Sequence, residues 1–518
     1  MNNVLILDCT LRDGGYINNW NFGEKCINGI ICNLIDAQVD IVECGFIRNV
    51  HDDKDSSVFG DVERFRKLVD PKNNNTLYAL MLEVNEYIEE AIPINDGKGA
   101  DIIRVTFHKD EWERCKHIVL SIMEKGYKVC VQPIGTSDYS YEDLRSLIEN
   151  VNDINPYAFY LVDTLGVMYK KDVKELFNFV DKYLNESILV GFHSHNNNQM
   201  SFANAQEAVE LSGKREIILD TACYGMGRGA GNLPTELLID YINTNFGHSY
   251  SLVPILNIID KYLMPIYAEH RWGYDLPYML SAMVKCHPNY ASYLLEKGTL
   301  TISDIERVLL AIPINNRSRY NPELIGNLYR EFQSFEVDDR EAIETLRECI
   351  GEREVLIIGS GASILTEINC IRLQCKNRFV IAVNFLTKDY ELDAVFISNK
   401  KRVIDDELDE QLVLTTSNIS VSRALIYNYS TLLGEDKSED NAGAMLIRLL
   451  KKVGVKRVLL AGFDGFDVDT TLNFAIDGFK KAYEHDSVMR INEIISKQLQ
   501  SALEGLDYKL ITRTKYEI

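Results

Sequence analysis

The chain has no C-x-x-C pair among its eleven cysteines, no block of basic residues and no uncharged apolar run of about 18 residues. Each absence argues against a class of protein. An odd number of cysteines at irregular spacing, mostly inside apolar runs, fits reduced, buried thiols in a reducing compartment. It does not fit a disulfide framework or a thiolate zinc site. With 77 acidic residues against 55 lysines and arginines, the formal charge is −22, which speaks against a nucleic-acid backbone or an anionic membrane as main partner. Without a long apolar run, no transmembrane helix is expected. The opening MNNVLILDCT has no basic n-region and Asp8 interrupts it, so it reads as a strand rather than a signal peptide. A cytoplasmic protein is expected.

What is present is a soluble-protein balance, 46% hydrophobic and 25% charged over 518 residues, enough for roughly two to four domains. The first 225 residues carry eight short β-rich runs: VLILDCT (4–10), IVECGF (41–46), LYALML (77–82), DIIRVTF (101–107), KVCVQP (128–133), AFYLVDT (158–164), ILVGFHSH (188–195) and IILDTACY (217–224). Amphipathic stretches such as YEDLRSLIENVNDI and KDVKELFNFVDKYL lie between them. Strands alternating with helices mean parallel βαβ units, and eight units in this length suit a closed (β/α)8 barrel better than an open doubly wound sheet.

Such barrels build their sites at the C-terminal ends of the strands. Polar residues fall there. Arg12 and Asp13 follow the first run, Glu43 lies in the second, and Arg104 and His108 flank the end of the fourth. Gln132 ends the fifth, Asp163 and Thr164 the sixth, and His193 and His195 the seventh. Ionisable groups at one end of apolar strands are costly unless a function needs them. Arg104, Gln132 and Thr164 are candidate substrate contacts. In His193-Ser194-His195, residues i and i+2 share a strand face, so both imidazoles can converge on one ion. Asp13 lies on the same rim and supplies a carboxylate. This mixed N/O set suits Mn²⁺, Mg²⁺, Co²⁺, Zn²⁺ or Fe²⁺, and geometry alone does not choose among them. An ion with free positions can chelate a 2-oxo acid and stabilise its enolate, and Arg12 can place a guanidinium on the enolate oxygen. The structural alternative for Arg12 is an ion pair with Glu43 that ties strands one and two together.

DCTLRDGGY (8–16), VECGF (42–46), LVDTLGVM (161–168), GFHSHNN (191–197) and GMGRGAGNLPTE (225–236) together resemble the HMG-CoA-lyase-like, pyruvate-carboxyltransferase-like family of metal-dependent barrels. Within it, residues 1–245 are most similar to 4-hydroxy-2-oxovalerate-type aldolases. The resemblance implies Asp13, His193 and His195 as metal ligands, with Asn232 as a fourth. It also implies Arg12 as the enolate-stabilising arginine and Glu43 as the carboxylate that orients it. It implies pyruvate and an aldehyde as the small-molecule partners, and a homo-oligomer. Two departures stand out. Those aldolases carry a catalytic histidine three residues after the ligand aspartate, where this chain has Tyr16. A phenol with a pKa of about 10 is far from a neutral general base, so Tyr16 positions a water or the acceptor, or His108 moves the proton. Cys223 does not fit the glycine-rich cysteine loop of the lyases and reads as a buried thiol. A Claisen-type acyl-CoA synthase or lyase, and a catalytically inactive binding scaffold, are the alternative readings.

Residues 246–345 are expected to form a helical extension, within which His287, beside Pro288, reads as structural. After the charged stretch at 335–353 the α/β pattern restarts over 353–518: VLIIGSGASI (355–364), FVIAVNF (379–385), DAVFISN (393–399) and NAGAMLIRLLKKVGVKRVLLAGFDGF (441–466). A strand running into Gly359-Ser360-Gly361 outlines a phosphate-cradling turn. Without a third fingerprint glycine, NAD is not indicated, and a turn needed for close packing is the competing account. The order of these runs resembles bacterial CMP-sialyltransferase-like and motility-accessory domains. That implies a Rossmann-like α/β domain handling a nucleotide or nucleotide-sugar, with Asn384, Asn399 and Asp464 in the pocket. Such a fusion suggests a sugar-like aldehyde in cell-surface glycan assembly.

Overall fold

Eight of the apolar runs become parallel strands: β1 (Val4–Asp8), β2 (Ile41–Ile47), β3 (Leu77–Glu83), β4 (Ile102–Phe107), β5 (Lys128–Pro133), β6 (Ala158–Asp163), β7 (Leu189–Ser194) and β8 (Ile217–Thr221). The structure, a computed structural model, describes residues 4–51, 53–402, 411–421, 423–434, 441–469, 473–475 and 485–518. β1 pairs with both β8 and β2, so the sheet closes on itself as a barrel. The strands are buried along nearly their whole length because one face fills the interior and the other meets a ring of helices.

The helices follow from apolar spacing and capping. Tyr141–Ile154 buries Leu144, Leu147, Ile148, Val151 and Ile154 at intervals of three and four, which puts them on one face. The Ser140 hydroxyl accepts from the Asp143 backbone N–H at 3.2 Å, and left-handed Asn155 ends the helix. Burying each such leucine or isoleucine contributes about 1.5–3 kcal/mol.

Two local departures from regular geometry set up the rim. After β1 the chain turns at once, with Arg12 N–H and Asp13 N–H both donating to the Cys9 carbonyl at 3.0 and 2.8 Å. In β2 the register shifts between Glu43 and Phe46. Gly45 sits in that bulge at φ +150°, where a β-carbon would lie 1.7 Å from the Ser57 carbonyl oxygen.

The later strands form a second, all-parallel sheet: β9 (Val355–Ile358), β10 (Phe379–Val383), β11 (Ala394–Ile397), β12 (Leu412–Thr416), β13 (Leu425–Tyr427), β14 (Arg457–Ala461) and β15 (Asp507–Leu510). Its order is β13-β12-β11-β10-β9-β14-β15, so the strand order reverses between β9 and β14. This is a Rossmann-like arrangement.

The chain divides into two compact units. One runs to Ala291 and includes Pro313–Tyr320; the other comprises Ser292–Ile312 and Asn321 onward. The helices over 246–345 are thus shared between the units. All eleven cysteines are free, and no described helix is long and apolar enough to cross a membrane.

Candidate metal centre and active site

The turn after β1 and the end of β7 bring Asp13, His193 and His195 together, with one ligand atom of each within 4.8 Å of the others, all buried. His193 closes the strand side. Its Nδ1 lies 2.9 Å from Asp220 Oδ2, which fixes the ring and leaves Nε2 for the centre. His195 lies one residue beyond β7, its ring 5.1 Å from that of His193 and perpendicular to it. Burial pushes the His195 imidazole down to about 4, so it is neutral at pH 7, as a ligand must be. Burial alone would raise the Asp13 carboxyl. Arg12, His195, His193 and the Asn232 amide together carry it well below the usual carboxylate range.

Two observations show that this set fits a divalent cation. The His195 Nδ1 and Asn232 Oδ1 atoms are buried without a protein partner, which is expensive unless something else satisfies them. The Asn232 Nδ2 donates to Asp13 Oδ2 at 2.6 Å, which orients its carbonyl end. Gly227 leaves room for that contact, since a β-carbon there would lie 2.1 Å from Asn232 Nδ2 and 2.7 Å from Asp13 Oδ2. A carboxylate, two imidazoles and an amide oxygen form a mixed N/O set for a divalent ion.

Around this centre runs a chain of buried charges. Arg12 donates from Nε to Glu43 Oε2 at 2.8 Å and from Nη1 to Asp13 Oδ1 at 2.5 Å, while its Nη2 is buried without a partner. Burial works against this guanidinium, and Glu43 and Asp13 more than offset it, so it stays charged. Arg104, fully buried, sits 2.8 Å from Glu43 Oε2, pairs with Asp220 and lies under the Tyr160 ring. Arg104 therefore joins Glu43 to Asp220 inside the barrel. Asp220 was not singled out from the sequence, where one acid in the apolar run IILDT was its only signal.

The remaining expected residues are spread around the rim. Tyr16 is about two-fifths exposed, packed edge-on against Trp20 at 4.7 Å and facing the Arg228 guanidinium at 5.8 Å. Burial and then Asp13 raise its phenol further. Gln132 is buried with Oε1 unpartnered, and Thr164 Oγ1 accepts from Gly135 N–H at 2.9 Å. His108 is exposed at the start of a short turn, its backbone N–H donating to Glu111 Oε2 at 2.7 Å, and it is not part of the Asp13, His193 and His195 cluster. Cys223 is buried, its thiol 3.3 Å from Asp8. Thr164, His195, Asn197, Arg228 and His287 line one narrow pocket, in which Arg228 and His287 touch. Neither Arg228 nor His287 was singled out as a site residue from the sequence, because their pairing spans 59 positions.

In the second unit, Gly359, Ser360, Gly361, Asn384 and Asp464 line a single cavity of about 220 Å³, together with Asn441, Phe463 and Phe466. Asn399 lies outside that lining, with Nδ2 donating to the Gly298 carbonyl at 3.1 Å. The glycine turns after β9 and β14 pack back to back. A β-carbon on Gly359 would lie 2.6 Å from the Gly462 carbonyl oxygen. Asp464 accepts from Ser363 N–H at 2.6 Å, and the Asn384 Oδ1 accepts from Ser398 N–H at 2.9 Å.

The barrel and the buried cluster at the C-terminal rim of its strands fit the architecture of a metal-dependent enzyme. The HMGL-like family matches residues 3–253. 4-Hydroxy-2-oxovalerate aldolase 2 of Comamonas testosteroni is 31% identical over 244 residues, 46% of this chain and 67% of that protein. Oxaloacetate decarboxylase of Mycobacterium tuberculosis is 27% identical over 238 residues, 45% of this chain and 68% of that protein. Among solved structures, the N-terminal domain of a Bacteroides vulgatus protein described as an aldolase covers 58% of this chain and 99% of its own, at 28% identity and a TM-score of 0.51. The chain belongs to the HMGL-like family, a family of divalent-metal-dependent carbon–carbon lyases.

Proposed function

We propose that the barrel is an aldolase that forms or cleaves a 4-hydroxy-2-oxo acid, with pyruvate as the enolate component and an aldehyde as its partner. The observation that carries this reading is the unpartnered Arg12 Nη2 beside the buried Asp13, His193 and His195 cluster. Asp13, His193, His195 and the Asn232 carbonyl would hold the cation, which when bound supplies a Lewis acid for a 2-oxo acid. As the enolate forms, the C3–H pair becomes the C2–C3 π bond, the methyl proton passes to water, and negative charge develops on the 2-oxo oxygen. Arg12, locked by Glu43 and Asp13, presents a fixed guanidinium to that oxygen in a site shielded from water. Arg104 keeps Glu43 and Asp220 in place, so it is a positioning residue.

Tyr16 serves the other reactant. With its phenol raised, it holds its proton at neutral pH. When enolate C3 attacks the aldehyde carbon, the carbonyl π pair moves to oxygen and gives an alkoxide, which is more basic than a phenolate. Tyr16 hands its proton to that oxygen and recovers one from water. In cleavage the steps reverse, and the C3–C4 pair returns to the enolate.

For the second unit, the reading is a nucleotide or nucleotide-sugar pocket. Its cavity lies beyond the C-terminal ends of β9 and β14, where the strand order reverses, the usual ligand position in such sheets. The paired activities would suit a sugar-derived aldehyde. The test of the barrel is to incubate metal-loaded protein with pyruvate and a panel of aldehydes and look for the 4-hydroxy-2-oxo acid by mass. Product that forms only with an acyl-CoA acceptor contradicts the aldolase reading. A thermal-shift screen with nucleotides tests the second unit, and no shift with any of them contradicts the pocket's assignment.

A further inference from the structure

We propose that Arg228 forms an anion subsite at the mouth of the barrel, so that the aldehyde partner carries a carboxylate or a phosphate. This rests on the aldolase reading above. Arg228 stands in the glycine-rich loop after β8 and is partly buried in the pocket it shares with His195, Thr164 and His287. The other arginines around the site are matched with carboxylates: Arg12 with Glu43 and Asp13, Arg104 with Glu43 and Asp220, Arg48 with Glu83. Arg228 is not. Among the described residues its partners are the His287 ring nitrogen and the face of Tyr16, and neither offsets its charge. Burial, and then Arg228 itself, push His287 down to about 4, so at neutral pH this end of the pocket carries one uncompensated positive charge.

A half-buried guanidinium without a counter-ion is a recognition element for an anion. Its planar fork suits the two oxygens of a carboxylate or phosphate. The His287 contact and the Tyr16 face fix its direction. His195 lines the same pocket, so an anion held by Arg228 would lie beside a residue of the metal centre. Arg12 already presents an unpartnered nitrogen beside Asp13 for pyruvate, which leaves Arg228 for the second reactant.

The test compares acceptors of similar size in the metal-loaded full chain: propanal, succinic semialdehyde and glycolaldehyde phosphate. At least one anionic acceptor should exceed propanal in kcat/KM. Arg228→Gln should lower the anionic-to-neutral ratio by about ten- to a hundredfold, the range of a charged hydrogen bond, and Arg228→Lys should restore part of it. Whichever anion prevails distinguishes carboxylate from phosphate. Calorimetric titration of succinate and of inorganic phosphate reads the subsite without turnover, and Arg228→Gln should weaken the anion that binds. If wild type favours neither anionic acceptor and binds neither anion, the proposal is overturned. It is also overturned if Arg228→Gln lowers all three acceptors alike, or raises the KM for pyruvate in methyl-proton exchange. An absence of any exchange at the pyruvate methyl in wild type would mark failure of the aldolase reading instead, and the titrations would still decide the subsite.

Discussion

The barrel rim and the switch-point cavity of the second unit are both lined by residues that stand out in the sequence, yet they differ in kind. At the rim, Arg12, Asp13, Glu43, Arg104, His193 and Asp220 are charged or ionisable groups removed from water and bonded to one another. Packing alone gives no reason to bury six such groups, since apolar residues of similar volume serve a core as well or better. In the second unit the conspicuous glycines are explained by the close approach of two turns, and Asp464 is engaged by Ser363. Buried charge points to chemistry. A glycine turn points first to shape, and its ligand has to be argued from the cavity.

Substitutions at the rim and in the second unit should act differently. The largest effect is expected from Tyr16→Phe, which should slow aldol formation by about 10²–10⁴ through loss of proton transfer. Exchange at the pyruvate methyl should be largely kept, because the phenol serves the aldehyde; equal loss of both would remove Tyr16 from that role. Arg12→Ala should slow the same exchange by about 10²–10³, as expected for one lost donor to a developing oxyanion. Asp220→Asn removes the acceptor that orients His193 and should weaken metal binding by about 10- to 100-fold in a calorimetric titration. In the second unit, Asp464→Ala should cost about 1–3 kcal/mol in denaturant unfolding and leave pyruvate exchange intact.

The smallest effect concerns pH. His287 is held down to about 4 in the fold and returns to its ordinary value of about 6.5 on unfolding. Between these values the unfolded chain binds the extra proton, so the stability that neutral His287 contributes is full above about pH 6.5 and is lost as pH falls toward 4. His287→Gln should flatten that part of the stability profile, and an unchanged slope would mean that burial and Arg228 do not hold His287 down in the fold.

Much of the rim was legible in the sequence. His193 and His195 are two apart at a strand end, and closure of the barrel puts Asp13 on the same rim, so spacing, strand order and the family resemblance together pointed to the residues that cluster. Asp220 was not legible as a partner, because a single acid in an apolar strand has nothing at a telling interval. Arg228 and His287 meet only because a loop and a later helical segment converge. Strand ends were also overdrawn: β1 stops at Asp8 because the Cys9 carbonyl takes the N–H groups of Arg12 and Asp13 in a turn, and this lifts both side chains into the site. In the second unit the strands and the glycine turn were readable, while Asn399 followed from sequence order, which does not register that its amide bonds to Gly298.

Enolate formation at the rim is read directly by exchange of the pyruvate methyl protons in D₂O, followed by NMR on metal-loaded protein. Exchange well above that of His193→Ala and of a chelated sample, without any aldehyde or thioester added, is the predicted result. Wild type exchanging no faster than those two would contradict an enolate formed at Asp13, His193, His195 and Arg12.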